Sequence, residues 1–145
     1  LRLSGARAAV DAASRKLGGI TAVDAKKYWI SVREHTHPAF AGQTLWRLAL
    51  PSNAKPPGLD GLRAIEWGGG QRWYAGGSGE IREAVRGAAA RAGGHAVLYR
   101  APESQRGLEG AFAPLSPALL ALHRRIKKSF DPKGILNPGR LYAEF

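Results

Sequence analysis

The chain has 145 residues, a length that suits one domain with a real hydrophobic core. It contains no cysteine, which excludes disulfides, thiolate metal sites, iron–sulfur clusters held by this chain and a cysteine nucleophile. The net charge is +11, but the basic residues are scattered and their one cluster, residues 124–128, lies on a single predicted helix, so charge alone does not identify a partner.

The first third of the chain predicts a strand and two helices. Leu1-Arg2-Leu3 is typical of the end of a strand, which suggests a piece of a longer protein. Ser4 is placed to cap a helix that ends at Gly18-Gly19, and Asp24 is placed to cap a second helix that runs towards His37-Pro38.

The middle of the chain predicts strands joined by turns. Residues 44–50 alternate as a strand, and the prolines and glycines of residues 51–61 predict a loop. Residues 62–67 and 72–75 predict a hairpin across Gly68-Gly69-Gly70.

Two amphipathic helices flank the last predicted strand, residues 95–99. Ser78 is placed to cap the first helix, and helical spacing predicts one apolar face made of Ile81, Ala84, Val85, Ala88 and Ala92. The final helix begins near Ser116 and ends at Asp131-Pro132. We expect its apolar positions to face inward: Leu115, Leu119, Leu122, Ile126 and Phe130.

This element order predicts an α+β fold. Two strand–helix–strand units around one antiparallel sheet give a ferredoxin-like sandwich with helices on one face, followed by an irregular C-terminal tail. We expect residues 1–130 to form this domain and residues 131–145 to form the tail.

Glycine-rich and histidine-containing stretches do not match a nucleotide or metal site. Neither Gly68-Gly69-Gly70 nor residues 76–79 fit GxGxxG, and GxxxxGK[ST] does not occur. His35 and His37 lie near a predicted helix end, where alternate side chains diverge, and His95 is more typical of a hydrogen-bonded structural residue. We therefore predict no metal.

Two arginines in aromatic surroundings have two interpretations. Arg33 and Arg47 lie on consecutive predicted elements near Tyr28, Trp29 and Trp46. Their guanidinium groups would hold a carboxylate bidentately if they converged on one pocket, with His37 as a further donor. The alternative is that each arginine lies over a tryptophan ring at the surface.

The tail carries the most specific pattern. Residues 130–140, FDPKGILNPGR, combine two X-Pro steps with two glycines and predict a defined turned path. An ordinary C-terminus is polar and frayed, whereas this one carries apolar residues and is suited to packing against another surface. These residues are Ile135, Leu136, Leu141, Tyr142 and Phe145.

The tail and the stretches before it resemble a known family. The segment LHRRIKKSFDPKGILNPGRLY resembles the C-terminal signature of FAD-linked oxidases of the vanillyl-alcohol-oxidase type. THPAFAG, LWRLALP, IEWGGGQRWYAG and GGHAVLYR, in that order, are similar to the FAD-binding E subunits of glycolate oxidases. The resemblance covers nearly the whole chain.

The resemblance implies a cap over a flavin. FAD would be bound mainly by a domain outside this chain, to which the tail returns, with Asn137 and Arg140 near that domain and the flavin. Arg33 and Arg47 fall where related enzymes bind a substrate carboxylate, and His37 or His95 would act as the base on a 2-hydroxy acid. The HxGDGNxH motif of those relatives is reduced here to Gly94-His95, and their GExGxG-type segment is missing. Such a subunit either oxidises the substrate itself or supports a catalytic partner subunit.

The implied partners are a second flavin subunit, an iron–sulfur subunit and a small 2-hydroxy acid, with no nucleic acid. No apolar run approaches the ~20 residues that span a bilayer. We expect the protein in the cytoplasm, or peripheral to the inner membrane through its complex. Two other classes stay open: a basic ferredoxin-like module that binds RNA on its sheet, and a small-ligand sensor or assembly domain.

Overall fold

The computed structural model describes residues 1–76, 79–106 and 110–142. The chain divides into a first unit, Leu1–His37, and a second unit, Pro38–Phe145. In the part of the chain that is described, no helix has both the length and the apolar character needed to cross a membrane.

The first unit consists of two short helices, α1 (Arg7–Leu17) and α2 (Ala25–Arg33). Ala6, and not the predicted Ser4, occupies the position before α1, and it makes no side-chain cap. Gly18 ends α1 with a φ of 70°, a conformation that glycine adopts without strain. Asp24 precedes α2 as predicted but makes no side-chain cap bond. The opening strand is a wrong prediction, because residues 1–3 pair with nothing and stay irregular.

The second unit contains a four-stranded antiparallel sheet. Its strands are β1 (Leu45–Ala49), β2 (Leu62–Glu66), β3 (Gln71–Ala75) and β4 (His95–Arg100), in the order β2-β3-β1-β4. All four predicted strands after residue 40 and the β2–β3 hairpin are confirmed. β3 and β4 run parallel with the antiparallel β1 between them, which is a split βαβ arrangement.

Helix α3 (Gly79–Arg91) covers one face of this sheet and builds the core. The core joins strand residues of alternate positions to small residues of the helix. Its members are Trp46, Leu48, Leu50, Tyr74, Val85, Ala89, Ala96 and Leu98. The α+β class with an antiparallel sheet is therefore confirmed.

The buried face of α3 differs from the predicted one. Val85 and Ala88 are buried as expected, but Ile81 and Ala84 are exposed. Arg82 and Arg86 are buried in their place, since their guanidinium groups bond to backbone carbonyls after β4. The predicted cap Ser78 lies outside the described residues.

The predicted proline-rich loop joins the first two strands of the sheet. Residues 50–61 connect β1 to β2, which run parallel with β3 between them, and this connection contains no helix. Arg72 on β3 holds the loop: its Nη2 and Nη1 donate to the carbonyls of Ala54 and Lys55 at 2.5 and 3.2 Å. Its Nε donates to the carbonyl of Gly69 at 3.2 Å. The loop predicted for residues 51–61 is therefore confirmed, and one buried arginine fastens it. The predicted first strand–helix–strand unit is wrong for another reason, because its opening strand, residues 1–3, does not form.

Two further helices follow the sheet, α4 (Glu103–Arg106) and α5 (Pro117–Phe130). The predicted cap is confirmed, since the Ser116 hydroxyl accepts a bond from the Leu119 amide. The inward orientation of the α5 stripe is a wrong prediction. Amphipathic spacing identifies an apolar face but not what covers it, and the described residues leave this face largely exposed. The exposed residues are Leu119, Leu122, Ile126 and Phe130.

The bonds of Arg72 predict a local effect of its loss. In the variant Arg72→Met, the amides of residues 52–61 should exchange with solvent about tenfold faster or more, because each bond to a charged donor contributes roughly 1.5–3 kcal/mol. Hydrogen exchange with mass spectrometry measures this directly. The matched control is Arg63→Met, at an exposed position of the edge strand β2. Unchanged loop exchange in Arg72→Met would contradict the fastening role.

Candidate active site on the sheet face opposite α3

The sheet face opposite α3 carries the chemically useful side chains. Since Trp46, Leu48 and Leu50 pack towards α3, strand alternation sends Arg47 and Ala49 to the other side. The cross-strand partners of Arg47 are Trp73 on β3 and Val97 on β4. We call the surface formed by Arg47, Trp73, Val97 and His95 the Arg47 face.

Arg47 and His95 are brought together on this face. His95 pairs with Ala49, two residues along β1 from Arg47, so the two are diagonal neighbours at roughly 7–8 Å between Cα atoms. Gly94 permits this register, because a Cβ there would overlap the carbonyl oxygen of Ala49. Arg47 is half-buried and His95 is exposed. A cation and an imidazole therefore share one side of the sheet.

Trp73 is fixed beside Arg47 by a carboxylate and an aromatic ring. Its Nε1 donates to Glu66 Oε2 at 2.6 Å, and Gln71 Nε2 donates to the same oxygen at 3.1 Å. The ring of Phe40 meets it edge-on with centroids 5.2 Å apart. Trp73 is 1% exposed, so its ring is rigidly packed at the base of this face and is not free to stack on a ligand.

Tyr99 packs between Trp73 and Arg47 on the same face. Its ring lies edge-on to Trp73 at 5.0 Å between centroids, and the Arg47 guanidinium carbon lies 6.0 Å from the Tyr99 ring centre. The aromatic ring beside Arg47 is thus a tyrosine, and not a tryptophan as the surface interpretation had it. This contact leaves the guanidinium hydrogens able to meet a carboxylate.

The other two predicted substrate residues lie in the first unit. Arg33 is exposed and pairs through Nε with Glu34 Oε1 at 2.7 Å. His37 is half-buried, its ring lies edge-on to Tyr28 at 5.2 Å, and its amide donates to the Ser31 carbonyl. The structure thus describes local partners for both residues.

A buried carboxylate organises the tail. Asp131 is 6% exposed and accepts bonds from the amides of Ile135 at 3.1 Å and Leu136 at 2.9 Å. Its Oδ2 pairs with Lys127 Nζ at 2.7 Å, and the same ammonium group donates to the Leu136 carbonyl. The Lys127 bond, with these amides, lowers the pKa of Asp131 from 3.8 to about 2. The turn from Asp131 to Leu136 is therefore held by its own carboxylate.

That turn presents apolar residues to the surroundings. Ile135 is 71% exposed and Leu136 is 56% exposed. Asn137 follows with a φ of 47°, and its carbonyl accepts a bond from the Arg140 amide at 3.3 Å across Pro138-Gly139. Asn137 and Arg140 thus share one exposed turn. The predicted tail residue Phe145 lies outside the described residues.

Within residues 1–76, 79–106 and 110–142 there is no group of three or more His, Cys, Asp or Glu side chains able to hold a metal ion.

Sequence reasoning missed four site residues: Trp73, Tyr99, Glu66 and Asp131. Strand alternation alone could have placed Trp73 on a face, but not the register that sets it beside Arg47. The Asp-Pro-x-Gly pattern was a usable signal for Asp131, because aspartate at such turns bonds to following amides.

A family of known proteins matches the end of the chain, including most of this tail. Residues 113–141 match the family model described as FAD linked oxidases, C-terminal domain. The predicted resemblance to the FAD-linked oxidases is confirmed.

A curated relative extends the likeness to almost the whole chain. The glycolate oxidase subunit GlcE of Escherichia coli (strain K12) is 40% identical over 145 residues, 99% of this chain. The chain covers 39% of that relative's length and corresponds to a C-terminal part of it. The comparison with solved structures found no match.

The lowered pKa of Asp131 predicts how the turn depends on pH. A carboxyl whose pKa falls on folding stabilises the folded form above its unfolded pKa of 3.8 and loses that effect as pH falls towards 2. The amides of Ile135 and Leu136 should therefore stay protected at pH 4 and lose protection near pH 2. NMR hydrogen exchange would measure this.

The variant Asp131→Asn should show fast exchange at both amides even at pH 6, because it loses the charge pair with Lys127. Asp11→Asn is the matched control, since Asp11 is an exposed helical aspartate with a long 4.0 Å contact to Arg7. Equal protection in both variants would contradict the account of the turn.

Proposed function

We propose that this chain is the C-terminal part of an FAD-dependent 2-hydroxy-acid oxidase or dehydrogenase subunit acting on glycolate. It covers the flavin and contributes to the substrate pocket or to subunit assembly. The observation that carries the proposal is the 40% identity to a glycolate oxidase subunit over 99% of the chain. The match of residues 113–141 to the FAD-linked oxidases supports it independently.

The residues present fit a chain that meets FAD from one side and does not hold it alone. The sequence carries no GxGxxG or GxxxxGK[ST] motif for the pyrophosphate. The exposed Ile135 and Leu136, on a turn fixed by Asp131, are suited to contact another domain. Residues 1–130 would then be the cap and residues 131–145 the returning tail, with Asn137 and Arg140 near the flavin.

The side chains of the Arg47 face fit the substrate chemistry. When bound, the flavin supplies the acceptor for the hydride of the α-carbon. Arg47 would bind the carboxylate of the hydroxy acid through two parallel hydrogen bonds. His95, its diagonal neighbour, would accept the hydroxyl proton. In the first unit we assign Arg33 a carboxylate-binding role and His37 a role as the alternative base.

The subunit context is part of the proposal. Partners would be a second flavin subunit and an iron–sulfur subunit. The location would be the cytoplasm, or the inner membrane surface through the complex.

RNA binding has less support, because sheet recognition of RNA stacks bases on exposed aromatic rings and Trp73 is buried. A sensor or assembly domain has no comparable support from a specific residue.

The direct test is a visible absorption spectrum of the purified full-length subunit, before and after anaerobic addition of glycolate. A flavin band that bleaches would support the proposal. A flavin band that stays oxidised would contradict substrate oxidation by this subunit and leave the assembly role. A full-length subunit without flavin would contradict the proposal as a whole.

The role of Arg47 predicts a specific kinetic change. The variant Arg47→Ala should raise the KM for glycolate about tenfold or more, since a bond between charged groups contributes roughly 1.5–3 kcal/mol. Arg63→Ala, an exposed arginine on β2, is the matched control and should leave the KM within about twofold. Equal KM values for the two variants would remove the carboxylate role of Arg47.

A further inference from the structure

The aromatic ring of Tyr99 on β4 lies against Arg47 on β1. Along most of the β1–β4 ladder the partners step one for one, from Ala49–His95 to Trp46–Leu98. The next pair is Leu45–Arg100, so Tyr99 is the extra residue of a β-bulge. Alternation from His95 and Val97 places Tyr99 on the Arg47 face, and the bulge brings the next residue, Arg100, opposite Leu45 on the same face.

The Tyr99 ring contacts both Trp73 and Arg47. Trp73, fixed by Glu66 and Phe40, meets Tyr99 edge-on at 5.0 Å. Arg47 lies against the same tyrosine, with its guanidinium carbon 6.0 Å from the ring centre. Arg100, the residue after the bulge, donates to the Phe40 carbonyl at 2.8 Å and ties β4 to the segment that covers Trp73.

We infer that Tyr99 is a positioning residue that holds the Arg47 guanidinium on the Arg47 face, ready for a substrate carboxylate. This rests on the carboxylate role proposed for Arg47. An arginine has many rotamers, and binding is weakened when they must be frozen by the ligand. The electron-rich face of Tyr99 attracts the guanidinium and limits those rotamers before the ligand arrives. A hydrophobic side chain of similar size would fill the space without this attraction.

The test weakens the electrostatics of the ring without changing its shape. Tyr99→Phe keeps the ring, and replacing that phenylalanine by its 3,4,5-trifluoro analogue withdraws electron density at nearly constant size. Both are made in the flavin-loaded full-length subunit, together with Tyr99→Leu. Flavin content reports on folding. The dissociation constant of 2-hydroxy-2-methylpropanoate, which has no α-hydrogen to transfer, is measured by calorimetry beside the KM and kcat for glycolate.

We expect the dissociation constant and the KM of Tyr99→Phe to stay within about twofold of the values for the unchanged protein. The trifluoro analogue and Tyr99→Leu should raise both the dissociation constant and the KM about threefold to tenfold, with kcat little changed. In an Arg47→Ala background the same changes at position 99 should have no further effect, because the group that they position is gone.

Three results would overturn the inference. Equal affinity for the phenylalanine and trifluoro proteins would exclude attraction to the ring face. Effects at position 99 that persist without Arg47 would assign Tyr99 a packing role. If Arg47→Ala raises the KM while fluorination does nothing, only the inference fails. If Arg47→Ala leaves the KM unchanged, both the carboxylate role of Arg47 and the inference about Tyr99 fail.

Discussion

Bonds from arginine to backbone carbonyls hold the second unit together. Arg72 fastens the proline-rich loop to β3, Arg100 ties β4 to the segment before β1, and Arg82 and Arg86 tie α3 to carbonyls after β4. A guanidinium group suits this work because it offers five donors in a fixed planar fork. Connections that would otherwise be loose are thereby anchored to a small sheet. Part of the positive charge of the chain serves this internal purpose and does not require an anionic polymer as partner.

This anchoring leaves the two faces of the sheet with different chemistry. One face is closed by α3 over a core of aliphatic and aromatic residues. The other carries Arg47, His95, Trp73 and Tyr99, and Trp73 is fixed by its bond to Glu66. A carboxylate ligand would find a cation that is already oriented and an imidazole on the neighbouring strand. These are the elements that binding and deprotonating a 2-hydroxy acid require.

Local sequence patterns predicted the elements better than their assembly. The alternation of apolar residues predicted β1. The prolines and glycines predicted the loop and the hairpin, and Ser116 was predicted as the cap of α5. The patterns failed where tertiary partners decide: residues 1–3 form no strand, and Arg82 and Arg86 replace Ile81 and Ala84 on the buried face of α3. Arg47 was predicted from its residue type and its surroundings. Tyr99 was missed although alternation places it on the face of His95 and Val97, because its contact with the Arg47 guanidinium depends on how the strands pair and on side-chain conformation.

The exposed apolar residues of α5 and the tail are consistent with a C-terminal part that packs against further protein. Phe130 is 83% exposed, and Ile135, which follows it in the turn held by Asp131, is exposed as well. A surface that is shaped by a buried carboxylate and lined with apolar side chains is costly to leave in water. We therefore propose that a flavin-binding domain packs against this tail and that the substrate lies against the Arg47 face.

The measurement that tests this placement most directly is an experimental structure of the flavin-loaded full-length subunit with 2-hydroxy-2-methylpropanoate bound. We expect the ligand carboxylate within hydrogen-bonding distance of the Arg47 guanidinium, on the sheet face that carries Trp73 and Tyr99. A ligand bound elsewhere, with the Arg47 face covered by protein, would contradict it.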